Sequence, residues 1–196
     1  MSNHETTERI VLCFDRDYTV SVNPHPDHRA VPIGWIQWYA HCTDIPVWAT
    51  GNQHLKSECE IPGLSEAESS WEKYAGEEYN YENSQFEDFH KPRRRDGLRL
   101  IQDLYEETFP DQQFRFVVVD DEDVSDLEEE GPWTWYAPWE FVEAVEVGDF
   151  ALEEPPEDAF RNDGVPFNST DNPDFDYNQN AALEEIRAQI QEWHEA

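Results

Sequence analysis

Short apolar runs alternate with longer stretches of mixed polarity along the first 150 residues of the chain. Four runs, rich in β-branched and aromatic residues, predict buried strands at residues 10–14, 45–50, 114–119 and 133–136. The stretches between and beyond them predict helices at residues 33–41, 64–75, 94–109 and 139–147. Strands that alternate with helices indicate an α/β fold with a mainly parallel sheet.

Other regions carry weaker patterns. Residues 19–31 hold two prolines and predict a short hairpin or flap over the end of the first strand, and residues 76–90 have no clear period. We therefore predict one α/β domain at 1–150, followed by an acidic, proline-containing linker or tail at 151–180. Residues 181–196 carry one apolar stripe and predict an amphipathic helix, which either docks on the domain or binds a partner or a second copy.

The chain is strongly acidic, and this excess of negative charge indicates the kind of surface that it has. It has 45 acidic and 13 basic residues and a formal net charge of −32. Eight tryptophans argue against a disordered acidic protein, since disordered chains are poor in aromatic residues. The composition resembles that of folded, salt-adapted proteins of extreme halophiles, where salt screens self-repulsion. Such a charge disfavours nucleic acid as a partner.

The cysteines and the apolar segments bear on location. Cys13, Cys42 and Cys59 are odd in number and have no metal-ligand spacing, which favours a reducing compartment. The N-terminal residues have no apolar signal-peptide core, and no stretch approaches the ~18 apolar residues of a membrane span. We expect a cytoplasmic protein without a membrane partner.

Polar residues with catalytic potential follow three of the predicted strands. Asp15 and Asp17 follow the first, Thr50-Gly51 the second and Asp120-Asp121 the third. Because the carboxyl ends of parallel strands meet at one edge of a sheet, we expect these residues to share a site. Lys91 precedes the helix that leads into the third of these strands.

These segments together resemble the motifs of the haloacid dehalogenase (HAD) superfamily. The first family motif, an apolar strand followed by DxDx(T/V), appears as VLCFDRDYT, and the second, a strand ending in Thr or Ser, as VWATGN. The third is a lysine, here in HKP, and the fourth an apolar strand ending in paired acids, here VVVDDEDVSD. The resemblance covers about residues 9–147 and implies a three-layer Rossmann-like fold with a small or absent cap.

The resemblance also implies an activity, a cofactor and roles for the residues. Most members of the family are Mg²⁺-dependent phosphatases that hydrolyse phosphomonoesters through an aspartyl-phosphate. Asp15 is then the nucleophile and Asp17 the general acid and base, which requires a raised pKa. Asp15 and Asp120 hold Mg²⁺, supported by Asp121 and the backbone carbonyl of Asp17. The phosphoryl oxygens bind residues Thr50, Gly51 and Lys91, with Lys56 as the competing lysine.

Each segment also has a structural interpretation. Asp120-Asp121 is equally compatible with the start of a solvated acidic loop, and Thr50-Gly51 with a turn capped by a hydroxyl or amide side chain. Lys91 and the arginines at 93–95 form the one basic cluster, which is suited to neutralising the acidic surface or binding an anionic partner. The alternative function is therefore a catalytically silent HAD-fold binding or regulatory protein that uses the tail and last helix.

The predicted flap supplies further candidates. His25 and His28, with Cys42 or Cys59, suggest a metal site only weakly, whereas substrate contact by His25, His28 or Arg29 is the stronger hypothesis. Arg16, between the two aspartates, suits contact with substrate or flap.

Overall fold

The computed structural model describes residues 8–76, 78–81, 92–149 and 151–156. Within them, the strands are β1 (Arg9–Phe14), β2 (Val47–Ala49), β3 (Phe114–Val119) and β4 (Trp133–Tyr136). The helices are α1 (Ile33–Cys42), α2 (His54–Cys59), α3 (Leu64–Ala75), α4 (Arg94–Thr108), α5 (Leu127–Glu130) and α6 (Pro138–Val147).

The four strands form one sheet in the order β2-β1-β3-β4, and every neighbouring pair is parallel. β1 lies beside both β2 and β3, with Phe14 opposite Ala49 on one side and Val119 on the other. The central position of β1 explains its near-continuous apolar sequence. The predicted α/β fold with a parallel sheet is confirmed.

Helices cover both faces of this sheet. Successive residues of a strand point to opposite faces, so Val11 and Cys13 of β1 join one core cluster and Leu12 and Phe14 the other. The first cluster includes residues of α3 and α4, and the second includes residues of α1, α2 and α6. Both faces of the sheet are therefore buried, which leaves its edges and strand ends to reach the surface.

Two short helices were not predicted, and the predicted flap is less regular than expected. α2 buries only Leu55 and Cys59, and α5 contains a single apolar residue, so neither has an apolar period to detect. Between 19 and 31 there are isolated bridges, such as Val20 with Val31, rather than paired strands.

The first residues of the predicted tail pack on the domain. Leu152 is buried, and the Tyr39 hydroxyl donates a hydrogen bond of 2.9 Å to the carbonyl of Glu153. Lys91, the remainder of the predicted tail and the predicted helix at 181–196 lie outside the described residues. In the described part of the chain, every helix is too short or too polar to cross a membrane.

Candidate active site

The residues that follow three strands are held at one edge of the sheet. The Asp15 N–H donates to the carbonyl of Val119 at 3.0 Å, and the Thr50 N–H donates to the carbonyl of Phe14 at the same distance. The Asp120 N–H donates to the Tyr136 carbonyl at 3.1 Å. Strand pairing thus extends one residue beyond the strands, and it fixes the backbones of Asp15, Thr50 and Asp120 relative to one another.

An open cleft of about 560 Å³ lies at this edge. The carboxylates that line it belong to Asp15, Asp17, Asp121 and Glu122. Arg94 is the single cationic residue among the described residues that line the cleft. A dianionic ligand would therefore meet net repulsion unless a further cation accompanied it.

Asp15, Asp120 and Asp121 each offer a carboxylate oxygen within 4.8 Å of the others. The two strand-end carboxyls are buried, Asp15 at 3% exposure and Asp120 at 0%. Burial raises the pKa of Asp120 to about 7, against the opposing charge of Arg94. Burial likewise raises the pKa of Asp15, and Arg94 again opposes the shift. The pair is thus incompletely neutralised by its protein neighbours.

Two buried oxygens at these strand ends have no hydrogen-bond partner among the described residues. They are Oδ2 of Asp120 and the hydroxyl oxygen of Thr50. The other carboxylate oxygen of Asp120 accepts hydrogen bonds from Arg94 at 3.0 Å and from the Glu122 N–H at 2.9 Å. Buried polar atoms are rarely left unpaired in proteins, so these two are available to a ligand. Clustered carboxylates are the oxygen donors that Mg²⁺ prefers, and the donor set fits this ion.

Gly51 is required by the position of the Asp15 side chain. A Cβ atom at residue 51 would lie 1.3 Å from Oδ1 of Asp15, so any larger residue would displace the carboxylate. The next N–H, of Asn52, donates to the same oxygen at 3.3 Å. The turn after β2 is therefore shaped around the Asp15 carboxylate.

Asp17 has a different environment, with a side chain that is 40% exposed. One of its oxygens accepts hydrogen bonds from Arg16 and Asn23 at 2.9 Å, and the other accepts one from Asn52 at 2.9 Å. The hydrogen bonds from Asn23 and Asn52 favour the ionised form and lower the pKa of Asp17. The expectation of a raised pKa for Asp17 is wrong. Metal binding by its carbonyl stays a prediction.

Among the described residues, the cation that contacts the buried carboxyls is Arg94, which the sequence did not single out within its basic cluster. Arg94 is the first residue of α4 and lies 3.5 Å from Asp15, 3.0 Å from Asp120 and 2.6 Å from Glu122. Lys56, the competing lysine, instead pairs with Glu66 and donates to the Ser65 hydroxyl. The role of Lys91 stays a prediction.

Arg16 and the candidate residues of the flap contact other side chains of the protein. Arg16 donates two hydrogen bonds to Glu58, at 2.8 and 2.6 Å, and Arg29 pairs with Glu146 on α6. His25 and His28 stack on each other. Among the described residues, the metal-capable cluster is the aspartate triad, so the weaker hypothesis of a histidine–cysteine site gains no support.

The fold and the site together define an α/β protein with a partly buried carboxylate site at the carboxyl edge of a parallel sheet. Comparisons with protein-family models, curated proteins and solved structures found no match.

Proposed function

We propose that the chain is a HAD-like, Mg²⁺-dependent phosphatase that hydrolyses phosphomonoesters through an aspartyl-phosphate on Asp15. The observation that carries the proposal is the pairing of two buried carboxyls, Asp15 and Asp120, with an Asp120 oxygen that has no hydrogen-bond partner. Such a desolvated and incompletely paired arrangement is expensive to maintain, and it is typical of functional sites.

The Asp15 carboxylate is the proposed nucleophile. One of its oxygens forms a bond to phosphorus while the bond between phosphorus and the leaving oxygen breaks. Water then attacks the phosphorus, the new bond to Asp15 breaks, and inorganic phosphate leaves with the carboxylate restored. The turn at Gly51 and the Asn52 N–H support this role because they fix the position of the attacking carboxylate.

Charge balance requires cations beside the phosphoryl group. Asp15, Asp120 and Asp121 would hold Mg²⁺, which when bound would neutralise these carboxylates and polarise the phosphoryl group. Arg94 is suited to bind phosphoryl oxygens, because its planar guanidinium offers several parallel donors and already reaches the Asp15 carboxylate. Thr50 and Gly51 are proposed to bind the remaining phosphoryl oxygens.

Asp17 is assigned to the second half of the reaction. Its donors keep the carboxylate ionised, which suits accepting a proton from the attacking water. In the first half, the leaving oxygen takes its proton from water in the open cleft. Esters with good leaving groups are therefore the better substrates.

A second candidate function is a catalytically silent binding or regulatory protein. The observation that favours it is Arg94, which contacts Asp15, Asp120 and Glu122 and so supplies a permanent counter-ion without a metal. In this case Mg²⁺ would compete poorly with the guanidinium.

The test is phosphate release from a panel of phosphomonoesters in molar KCl, with and without Mg²⁺. The wild type should release phosphate only with Mg²⁺, and Asp15→Asn should be inactive. Asp126→Asn is the matched control, because Asp126 is an exposed partner of Arg95 on the acidic loop and lies outside the cleft. Equal activity of Asp15→Asn and wild type would refute the proposal, and a folded but inactive wild type would favour the silent protein.

A further inference from the structure

A row of four ring side chains runs from the cleft across the flap to α6. Tyr18 packs edge-on against His25, with the ring centroids 5.5 Å apart, and His25 stacks on His28 with a centroid distance of 4.7 Å. The ring centroids of His28 and Trp139 are 4.2 Å apart. We call these four residues the aromatic row. Tyr18 lines the same cleft as Asp15, and the residue is 49% exposed. An aromatic surface therefore begins at the mouth of the candidate active site.

The backbone at Tyr18 is strained. Its φ of 60° lies in the left-handed region, which residues with a Cβ avoid. Glu60 is the other such residue in the described chain, and there the conformation ends helix α2. Tyr18 ends no helix, and its N–H donates to the carbonyl of Asn23 at 2.8 Å to close the turn. Strain of this kind, at a half-exposed aromatic residue that lines a cleft, points to a role in ligand contact.

The aromatic row is held in place at both ends. Asn23, in the same turn as Tyr18, donates to Asp17, and Arg29, next to His28, pairs with Glu146 of α6. The His25 ring also accepts a hydrogen bond from the Asp27 N–H at 3.1 Å. A planar ligand that packed against Tyr18 would therefore meet a surface that needs little further ordering.

The charge of the cleft restricts what such a ligand can be. Asp17, Asp121 and Glu122 line the cleft beside Asp15, and Arg94 is the one cation among the described lining residues. A leaving group with its own negative charge would be repelled, whereas an uncharged aromatic ring would gain contact with Tyr18 without loss.

We propose that Tyr18, at the cleft end of the aromatic row, binds the uncharged aromatic leaving group of a phosphomonoester, so that the substrate is the phosphate ester of an aromatic alcohol. This inference rests on the proposed phosphatase function. Tyr18 is then the specificity-determining residue, and the other three rings position it.

The test compares kcat/KM for phenyl phosphate with kcat/KM for cyclohexyl phosphate, in wild type and variants. Both substrates carry the same charge and nearly the same bulk, so the change in their ratio on mutation isolates the aromatic contact. Tyr18→Leu should lower the ratio roughly three- to tenfold, the range typical of an aromatic pair. Tyr18→Phe should keep it, and Tyr18→Asn, which suits left-handed backbone, guards against loss of folding.

Tyr74→Leu provides the matched control, since Tyr74 packs on the core at the opposite face of the sheet from Phe14 and α6. An unchanged ratio in both Tyr18→Leu and Tyr18→Asn, while phosphate release continues, would refute the contact between Tyr18 and the aromatic leaving group. The proposed phosphatase function would still stand. A phosphotyrosine peptide whose other side chains are uncharged, assayed beside phenyl phosphate, distinguishes a protein side chain from a small molecule as the source of the ring.

Binding of a ligand that cannot be hydrolysed tests the aromatic contact independently of the proposed phosphatase activity. Phenylphosphonate cannot be hydrolysed at its carbon–phosphorus bond, and with Mg²⁺ it should shift the ring proton signals of His25 and His28 more than methylphosphonate does. If no substrate releases phosphate, the proposed function fails, but the comparison of the two phosphonates still tests whether the aromatic row contacts an aromatic ligand. Equal shifts from the two phosphonates would refute that contact.

Discussion

Acidic side chains behave in opposite ways at the edge of the sheet and on the outer surface of this protein. At the sheet edge, Asp120 is buried and its pKa is raised to about 7 by desolvation. On the surface, hydrogen bonds from Arg95 and Arg29 lower the pKa of Asp126 and of Glu146, respectively. In a chain with 45 acidic residues, it is burial with incomplete pairing, and not the number of carboxylates, that distinguishes a site.

The two environments also differ in what they contribute to folding. Exposed ion pairs are worth between about 0 and 1 kcal/mol each, whereas a buried carboxylate loses several kcal/mol of hydration. In the absence of a bound metal ion, the buried carboxylates of Asp15 and Asp120 thus lower the free energy of unfolding of the protein. Four substitutions test this contrast, from the largest expected effect to the smallest.

Gly51→Ala should abolish activity while the chain still folds. The added Cβ would lie 1.3 Å from Oδ1 of Asp15, so the carboxylate must move by more than an ångström. A displacement of that size costs roughly 100-fold or more in rate. The measurement is Mg²⁺-dependent phosphate release. Gly131→Ala is the control, because the nearest atom to its Cβ would be in the Gln102 side chain, at 3.3 Å, and activity should persist.

Asp120→Asn should stabilise the protein without Mg²⁺ at pH 8. Because the folded-state pKa of Asp120 is raised to about 7, the folded protein binds its proton more tightly than the unfolded chain does. The contribution of Asp120 to the free energy of unfolding therefore falls as the pH rises from about 4 to about 7. Removing the charge should recover up to about 4 kcal/mol. Urea unfolding in EDTA at pH 5 and pH 8 measures this, and a variant less stable than wild type at pH 8 would contradict it.

Asn23→Ala should destabilise the protein modestly, and only where Asp17 is ionised. Asn23 donates to the Asp17 carboxylate and contributes most to lowering its pKa. Because the side chain is 40% exposed, solvent screens this contact to about 1 kcal/mol or less. The stabilisation is present above the ordinary Asp pKa and is lost as the pH falls through the lowered one. Thermal unfolding of both proteins should converge in acid, and a difference that persists there would refute the assignment.

Asp126→Asn should have the smallest effect. Its ion pair with Arg95, at 2.8 Å, is exposed, so the free energy of unfolding should change by less than about 0.5 kcal/mol. The change should shrink further in molar KCl, where the Debye length is about 3 Å. Urea titrations at two salt concentrations check this. A fall of more than about 2 kcal/mol in the free energy of unfolding would contradict the difference between surface and buried carboxylates.

The strands and their ends could be predicted from sequence because a strand buried on both faces has a continuous apolar run. The runs before Asp15 and Asp120 have this form, and the polar residues after them then follow from the geometry of parallel strands. Helix α2 could not be predicted, since its two buried residues, although four apart, are too few to establish a helical period.

The electrostatics of the site were less predictable. Lys91 and the arginines at 93–95 are all cationic and lie close together in sequence, and only the start of α4 places Arg94 against Asp15 and Asp120. The role of general acid and base that the family resemblance implies for Asp17 requires a raised pKa. The donors that lower it come from Asn23 and Asn52, which folding brings from 6 and 35 residues away.

The central claim is that Asp15 accepts a phosphoryl group in a site that needs a divalent cation. Beryllofluoride imitates a phosphoryl group on a carboxylate, and ¹⁹F NMR detects its bound form directly. With Mg²⁺ in molar KCl, the wild type should give a bound signal that disappears on chelation and is absent in Asp15→Asn. Absence of the signal in wild type with Mg²⁺, or its persistence in Asp15→Asn, would contradict the claim.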